Sequence, residues 1–310
     1  PEVQAAVHAL NVRLGNVGPE APIRPIERTD SASIDGIGSI ADLVAAIGSG
    51  AIDTLVVLDG NPVYDGPADL KFAEAYAKVE TRIHLASIPN ETSRASTWQL
   101  PETHPLEAWG DAISFDGTYC LAQPLIAPLW GGLSAIELLD RLAGGERSGE
   151  ELVREQLGAS DRAAWRRAVH DGFVPGTAAT PVAVSVADVS APAADPRWRE
   201  ESKEQQSSEL EVVLLPAATL FDGRHANNGW LQECPDGVTK ITWGNAALFA
   251  PSTAEKYGVR QNTIVEVKVG ETAIELPVHI VPGQARGSIG IALGYGRTEV
   301  GVVGGSVSGE

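Results

Sequence analysis

A chain of 310 residues, 43% of them hydrophobic, is long enough to build two domains with separate cores. Its formal charge of -18 argues against a nucleic-acid partner, which demands clustered Lys and Arg. No apolar run approaches the roughly 20 residues of a bilayer-spanning helix, so no direct membrane span is expected.

The chain begins at Pro1, contains no Met and shows no charged-then-apolar leader, which reads as an excised piece of a longer polypeptide. The first helix is signalled from Ser39 by Ile40, Leu43, Val44 and Ile47 at helical spacing, with Gly48 and Gly50 ending it. It feeds a buried strand at Leu55 to Leu58, which breaks at Gly60-Asn61-Pro62. In open α/β sheets ligands bind beyond the carboxyl ends of the strands, where this break falls. A helix is expected after Pro67, with Asp65 near its cap and Leu70, Ala73 and Tyr76 on one face, and then a strand from Arg82 to Ile88. Together these make a βαβ unit. Further strands are expected at Thr97 to Leu100 and Tyr119 to Ile126. Ser134 and Glu137 form a capping box that opens a helix through Leu142, stopped by Gly144 and Gly145. A Trp-bearing helix starts at a Ser160 cap and ends at Gly172.

The composition then changes. Residues 173–209, rich in Ala, Pro and Val and then in charged groups, read as a linker or long excursion between an α/β domain at 1–172 and a β-rich domain at 210–310. In the latter, Val265, Val267 and Val269 alternate with Glu266 and Lys268, Gly270 turns the chain, and Ile274, Leu276, Val278 and Ile280 alternate back, predicting a hairpin. Strands are also expected at Leu210 to Leu215, Val238 to Trp243 and Ser288 to Leu293, with one helix from Pro251 to Gly258.

Motifs for chemistry are sparse. Gly36, Gly38 and Ala41 fit a Gly-x-Gly-x-x-Ala pattern, but no strand precedes it and it reads as a tight loop. Phosphate-loop, zinc-protease and nucleophile-elbow signatures are absent, and no nucleophile or carboxylate pair announces a stand-alone enzyme. Cys120 and Cys234 are too few for a cysteine-held iron–sulfur cluster and read as two separate thiols. Asn90-Glu91-Thr92 is a formal glycosylation acceptor with no leader to support it. The histidines, His8, His84, His104, His170, His225 and His279, show no ligand spacing, and no metal site is expected. The densest polar stretch holds Arg224, His225, Asn227, Asn228, Trp230 and Gln232. Such a loop can grip a heterocyclic or phosphate-bearing ligand, or knit itself to its own backbone.

The stretches "VVLDGNPVYDGPADLKFAEA", "ETSRASTWQLPETHPLEAWGD", "DGTYCLAQPLIAPLWGG", "NNGWLQECPDGVTKITWGNAALFAPSTAEKYGV" and "GYGRTEVG", in that order, resemble the C-terminal half of molybdopterin oxidoreductase large subunits. More narrowly, they are similar to the molybdopterin-like region of the iron–sulfur subunit of bacterial alternative complex III. The resemblance implies an α/β Rossmann-like domain followed by a double-psi β-barrel. It implies a guanine-dinucleotide molybdopterin site at Gly60, Asn61 and Pro62, at Asn227, Trp230 and Leu231, and at Gly294 and Gly296, with Arg224, His225, Asn228 and Tyr295 beside them. Relatives commonly carry an Asp where this chain has Ala86 or Ser87, an Ala-Asp where it has Ser96-Thr97, and often a His where it has Tyr295. These departures imply a vacated pocket. The resemblance therefore implies a cofactor-free, non-catalytic scaffold in a respiratory quinol:electron-acceptor oxidoreductase. It would lie peripheral to the bacterial inner membrane on the periplasmic side, with membrane-complex subunits as partners and iron–sulfur clusters elsewhere in the parent polypeptide. The alternative implication is a genuine molybdopterin guanine dinucleotide-binding half of a molybdenum or tungsten enzyme.

Overall fold

The structure is a computed structural model that describes residues 2–27, 38–158, 161–182, 210–270 and 272–304. The described residues are mixed α/β and cluster into two compact units. The first comprises the described parts of Pro1–Gly60, Glu74–Ile88 and Ser96–Trp198; the second comprises Asn61–Ala73, Pro89–Ala95 and the described parts of Arg199–Glu310. The second unit thus draws two short segments out of the stretch expected to be purely α/β.

In the first unit, helix α1 (Glu2–Arg13), which the sequence reading did not anticipate, precedes α2 (Ile40–Gly48). Ser39 caps α2 reciprocally with Asp42. Gly36 of the Gly-x-Gly pattern and the predicted Ser160 cap both lie outside the described residues. Strands β1 (Thr54–Leu58), β2 (Thr81–Ala86) and β3 (Trp98–Pro101) form a parallel sheet in the order β1-β2-β3. Its α2 side is packed by Ile47, Ala75 and Val79 with Leu43, Val44, Ile52 and Leu55, so the spacing seen in the sequence is the spacing that is buried.

The single helix expected after Pro67 is instead three pieces. Pro62 opens α3 (Pro62–Asp65), Ala68–Leu70 makes one 3-10 turn, and α4 (Phe72–Tyr76) follows. Proline pushes its predecessor out of the helical region, and Gly66 before Pro67 is accordingly extended at φ -62°, ψ 148°. Lys71 at φ 48° makes the second break.

Helix α5 (Glu91–Ala95) belongs to the second unit. Strands β4 (Gly110–Ile113) and β5 (Tyr119–Ala122) pair antiparallel in the first, where β5 ends four residues short of expectation. Helices α6 (Ala135–Leu142) and α7 (Gly149–Gln156) carry full capping boxes from Ser134–Glu137 and Ser148–Glu151. Helix α8 (Arg162–Asp171) is capped by Asp161, ends at Gly172 in the left-handed region, and stacks Trp165 against Trp109 at 5.5 Å. The described start of the expected linker is fastened to the first unit: Val174 N–H donates to the Tyr119 carbonyl at 2.9 Å and Ala179 N–H to that of Asp116 at 2.8 Å. Residues 183–209 lie outside the described residues.

In the second unit, β6 (Glu211–Leu215), β7 (Ala247–Phe249), β8 (Ile264–Val269), β9 (Thr272–Ile280) and β10 (Ser288–Ala292) form a five-stranded mixed sheet in the order β6-β10-β7-β9-β8. Helices α9 (Gly229–Glu233) and α10 (Pro251–Tyr257) complete it. The expected hairpin forms between β8 and β9, with Val265 opposite Leu276 and Val267 opposite Ile274. Ala247, Phe249, Ala254, Val267, Val278, Ile289 and Ile291 form the core.

The strand expected at Val238 to Trp243 is a loop. The Asp236 carboxylate accepts from Val238 N–H, Thr239 N–H and the Thr239 hydroxyl at 3.0, 2.7 and 2.9 Å, offering the backbone an alternative to a ladder. Lys240 and Trp243 both take positive φ.

Candidate functional site: the Asn61–Glu91–Arg297 cluster

Asn61 caps nothing with its side chain, although it stands at the helix N-cap position of α3. It is buried, its Nδ2 donates to Glu91 Oε2 at 2.7 Å, and its Oδ1 accepts from the Thr92 N–H and hydroxyl at 3.0 and 2.9 Å. Thr92 Oγ1 in turn accepts from Val63 N–H at 3.1 Å, which joins α3 to α5.

Glu91 is the centre of this network. Arg297 Nε donates to both carboxylate oxygens at 2.8 and 3.0 Å, and Arg297 Nη2 donates to Oε2 at 2.8 Å. The backbone N–H groups of Thr298 and Glu299 donate to Oε1 at 2.8 and 3.1 Å. Burial pushes the Glu91 carboxyl up, but the hydrogen bonds from Arg297, Asn61, Thr298 and Glu299 outweigh it and hold the pKa at about 2. Arg297 is itself spent: Nη1 donates to the Gly223 carbonyl at 2.6 Å, Nη2 to that of Glu299 at 3.0 Å, and the guanidinium lies 4.9 Å from the Tyr64 ring centroid. The Tyr64 hydroxyl donates to the Tyr295 carbonyl at 2.9 Å. Gly223 and Gly294 let two backbones meet below: a Cβ on Gly294 would fall 2.9 Å from Gly223 N, and both glycines have positive φ.

The other expected positions are distributed around this cluster. Arg224 pairs with Asp222 at 2.7 Å on the surface. Asn227 Oδ1 accepts from Val303 N–H at 3.0 Å, and Asn228 caps α9 through Leu231 N–H at 3.2 Å. His225 is exposed, Trp230 is 85% exposed, and Gln232 is buried, donating to the Ala226 carbonyl at 2.9 Å. Gly296 is exposed with open space about it. Tyr295 lines a cleft of about 120 Å³ with Asp236, Thr239 and Asn245, and Asn245 spends its amide nitrogen on the Ala292 carbonyl at 2.7 Å.

Gly60 falls in the first unit, at φ 72°. There a second carboxylate, Glu102, follows β3 as Asp59 follows β1; Asp59 N–H donates to Leu85 O at 2.9 Å and Glu102 N–H to Ala86 O at 3.1 Å, extending the sheet's carboxyl edge. Burial, with the Asp59 charge adding to it, pushes Glu102 up to about 7. His84 in β2 is fully buried, and that burial lowers its pKa. Ser96 Oγ bonds the Tyr76 hydroxyl at 2.8 Å and Thr97 Oγ1 donates to the Arg82 carbonyl at 2.8 Å. Both cysteines are free.

Neither Glu91 nor Glu102 was singled out from the sequence. Glu91 was named only within the formal glycosylation acceptor and as the first residue of one resemblance stretch, with no role given to it; Asn90 of the acceptor accepts from Ser93 N–H at 3.0 Å, and Glu91 and Thr92 are buried. Among the described residues no group of His, Cys, Asp and Glu is arranged to hold a metal ion, and no helix is long and apolar enough to cross a membrane.

The residues present do not fit a molybdopterin dinucleotide well. The polar side chains at its expected positions are engaged with protein partners: Asn61 with Glu91, Arg224 with Asp222, Asn227 with Val303 N–H and Asn228 with Leu231 N–H.

No protein-family model matches the sequence, and no curated protein does. Among solved structures, acetylene hydratase from Pelobacter acetylenicus is similar, with a TM-score of 0.58 at 15% identity. The match covers 84% of this chain and 41% of that one, so the chain spans less than half the length of its structural neighbour. At this identity the likeness is one of fold, and it supports the molybdopterin oxidoreductase-like fold that the sequence resemblance implies.

Proposed function

We propose that this chain is the C-terminal part of a molybdopterin oxidoreductase-like subunit of a respiratory quinol:electron-acceptor oxidoreductase, acting as a cofactor-free scaffold. In this reading the five-stranded sheet belongs to a double-psi β-barrel, iron–sulfur clusters lie elsewhere in the parent polypeptide, and the subunit sits peripheral to the inner membrane on its periplasmic side, against other subunits of the complex. The observation that supports it best is the fate of Asn61. The turn keeps its Gly-Asn-Pro sequence, yet the amide is committed on both its atoms to Glu91 and Thr92. A donor already bonded to a buried carboxylate is not available to a ligand without leaving that charge undersatisfied.

The experiment is molybdenum content together with the fluorescence of oxidised pterin, measured on the full-length parent purified from a host that makes the cofactor. Absence of both, with an intact iron–sulfur spectrum, is the expected result. Stoichiometric pterin would instead establish the cofactor-binding alternative, in which the Asn61 and Asn227 loops rearrange around the dinucleotide.

A further inference from the structure

The groups around the Glu91 carboxylate form a receptor for an anion. A guanidinium fork, one carboxamide and two successive backbone N–H groups converge on two oxygens, with every contact between 2.7 and 3.1 Å. Charge-assisted donors in a planar fork select a planar carboxylate, and adjacent backbone N–H groups form the kind of concavity that holds anions elsewhere. Four of these donor sets come from Asn61 and the 297–299 segment, whereas the acceptor arrives on α5, 206 residues from Arg297 in sequence.

We infer that Asn61, Arg297 and the backbone of Thr298 and Glu299 constitute a carboxylate-binding site whose occupant is the chain's own Glu91, a tethered ligand. Thr92 supplies the tether: its bonds to Asn61 Oδ1 at 3.0 and 2.9 Å hold α5 in place independently of the carboxylate. Truncating Glu91 at Cβ therefore removes the occupant while leaving both the receptor and the anchor. The vacated site takes a small free carboxylate such as acetate. This inference concerns loops discussed above but does not depend on whether a pterin is absent from the parent subunit.

The test is thermal unfolding of Glu91→Ala in sodium acetate against sodium chloride at equal ionic strength. Binding to the folded state alone raises the midpoint by mass action, so acetate is expected to restore about 2–4 °C beyond chloride. The wild-type chain, its site filled, and Glu91→Ala/Arg297→Ala, its receptor removed, are expected to show no such difference. An equal response in chloride, or a response that survives in the double variant, overturns the inference. Should Glu91→Ala fail to fold in chloride, refolding yield becomes the measurement: recovery in acetate sustains the site, and no recovery refutes it. Line broadening of carbon-13-labelled acetate by folded Glu91→Ala, and not by wild type, gives an independent readout.

Discussion

Two carboxylates, one in each unit, Glu91 buried and Glu102 half-buried, stand about five pH units apart. Glu91 stands at about 2 and Glu102 at about 7. Burial pushes both upward; what separates them is the supply of donors. Glu91 meets a guanidinium, an amide and two backbone N–H groups, while Glu102 faces the negative charge of Asp59 across the end of a parallel sheet. The comparison shows that depth fixes only the cost of a charge, and the surrounding donors decide whether it is held or expelled.

The largest expected effect comes from breaking the satisfied side. Arg297→Met leaves the Glu91 carboxylate buried without its cation, and removing one partner of a buried pair costs about 3–5 kcal/mol, to be read from denaturant midpoints at pH 7. The pH dependence is next. Because the folded pKa of Glu91 lies below its ordinary 4.5, the stabilisation is present above that value and disappears as pH falls toward 2. The difference amounts to about 3 kcal/mol, and an acid titration of stability that shows no steeper loss in wild type than in Glu91→Gln would break the comparison. Asn61→Ala removes a donor to Glu91 and an acceptor for Thr92, with an expected loss of about 1–3 kcal/mol.

Glu102 reverses the sign. Its folded pKa lies above the ordinary value, so the folded state holds the extra proton between 4.5 and about 7, and stability falls as pH rises through that window. Glu102→Gln is expected to raise the unfolding temperature at pH 8 and to leave it nearly unchanged at pH 4. The smallest effect is expected at the exposed Asp222–Arg224 pair, where Arg224→Ala changes stability by about 0–1 kcal/mol, measured in the same titrations.

Elements whose signal is local were legible in the sequence. Ser39 and Ser134 cap where their spacing says, and the period-two run at Val265 to Ile280 pairs as a hairpin because alternation and Gly270 specify its register together. The helix after Pro67 and the strand at Val238 were misread for a common reason: a local competitor overrode the apolar pattern, Gly66-Pro67 in one case and the Asp236 side chain in the other. The Gly-Asn-Pro turn was identified as structurally special from its residue types, but its partner could not be. Glu91 and Arg297 fall in two of the stretches that carry the resemblance, but 206 residues separate them and only the fold joins them as a pair.

That separation has a consequence for synthesis. At about 5–20 residues per second, the 206 positions between Glu91 and Arg297 take roughly 10–40 s to emerge from a ribosome. For that interval Asn61 and Glu91 have been made while the guanidinium that neutralises the carboxylate has not. The Glu91–Arg297 pair can form only after the stretch between them has been made, so Glu91 stays without its cation while the strands that flank it in sequence, β2 and β3, are already able to pair.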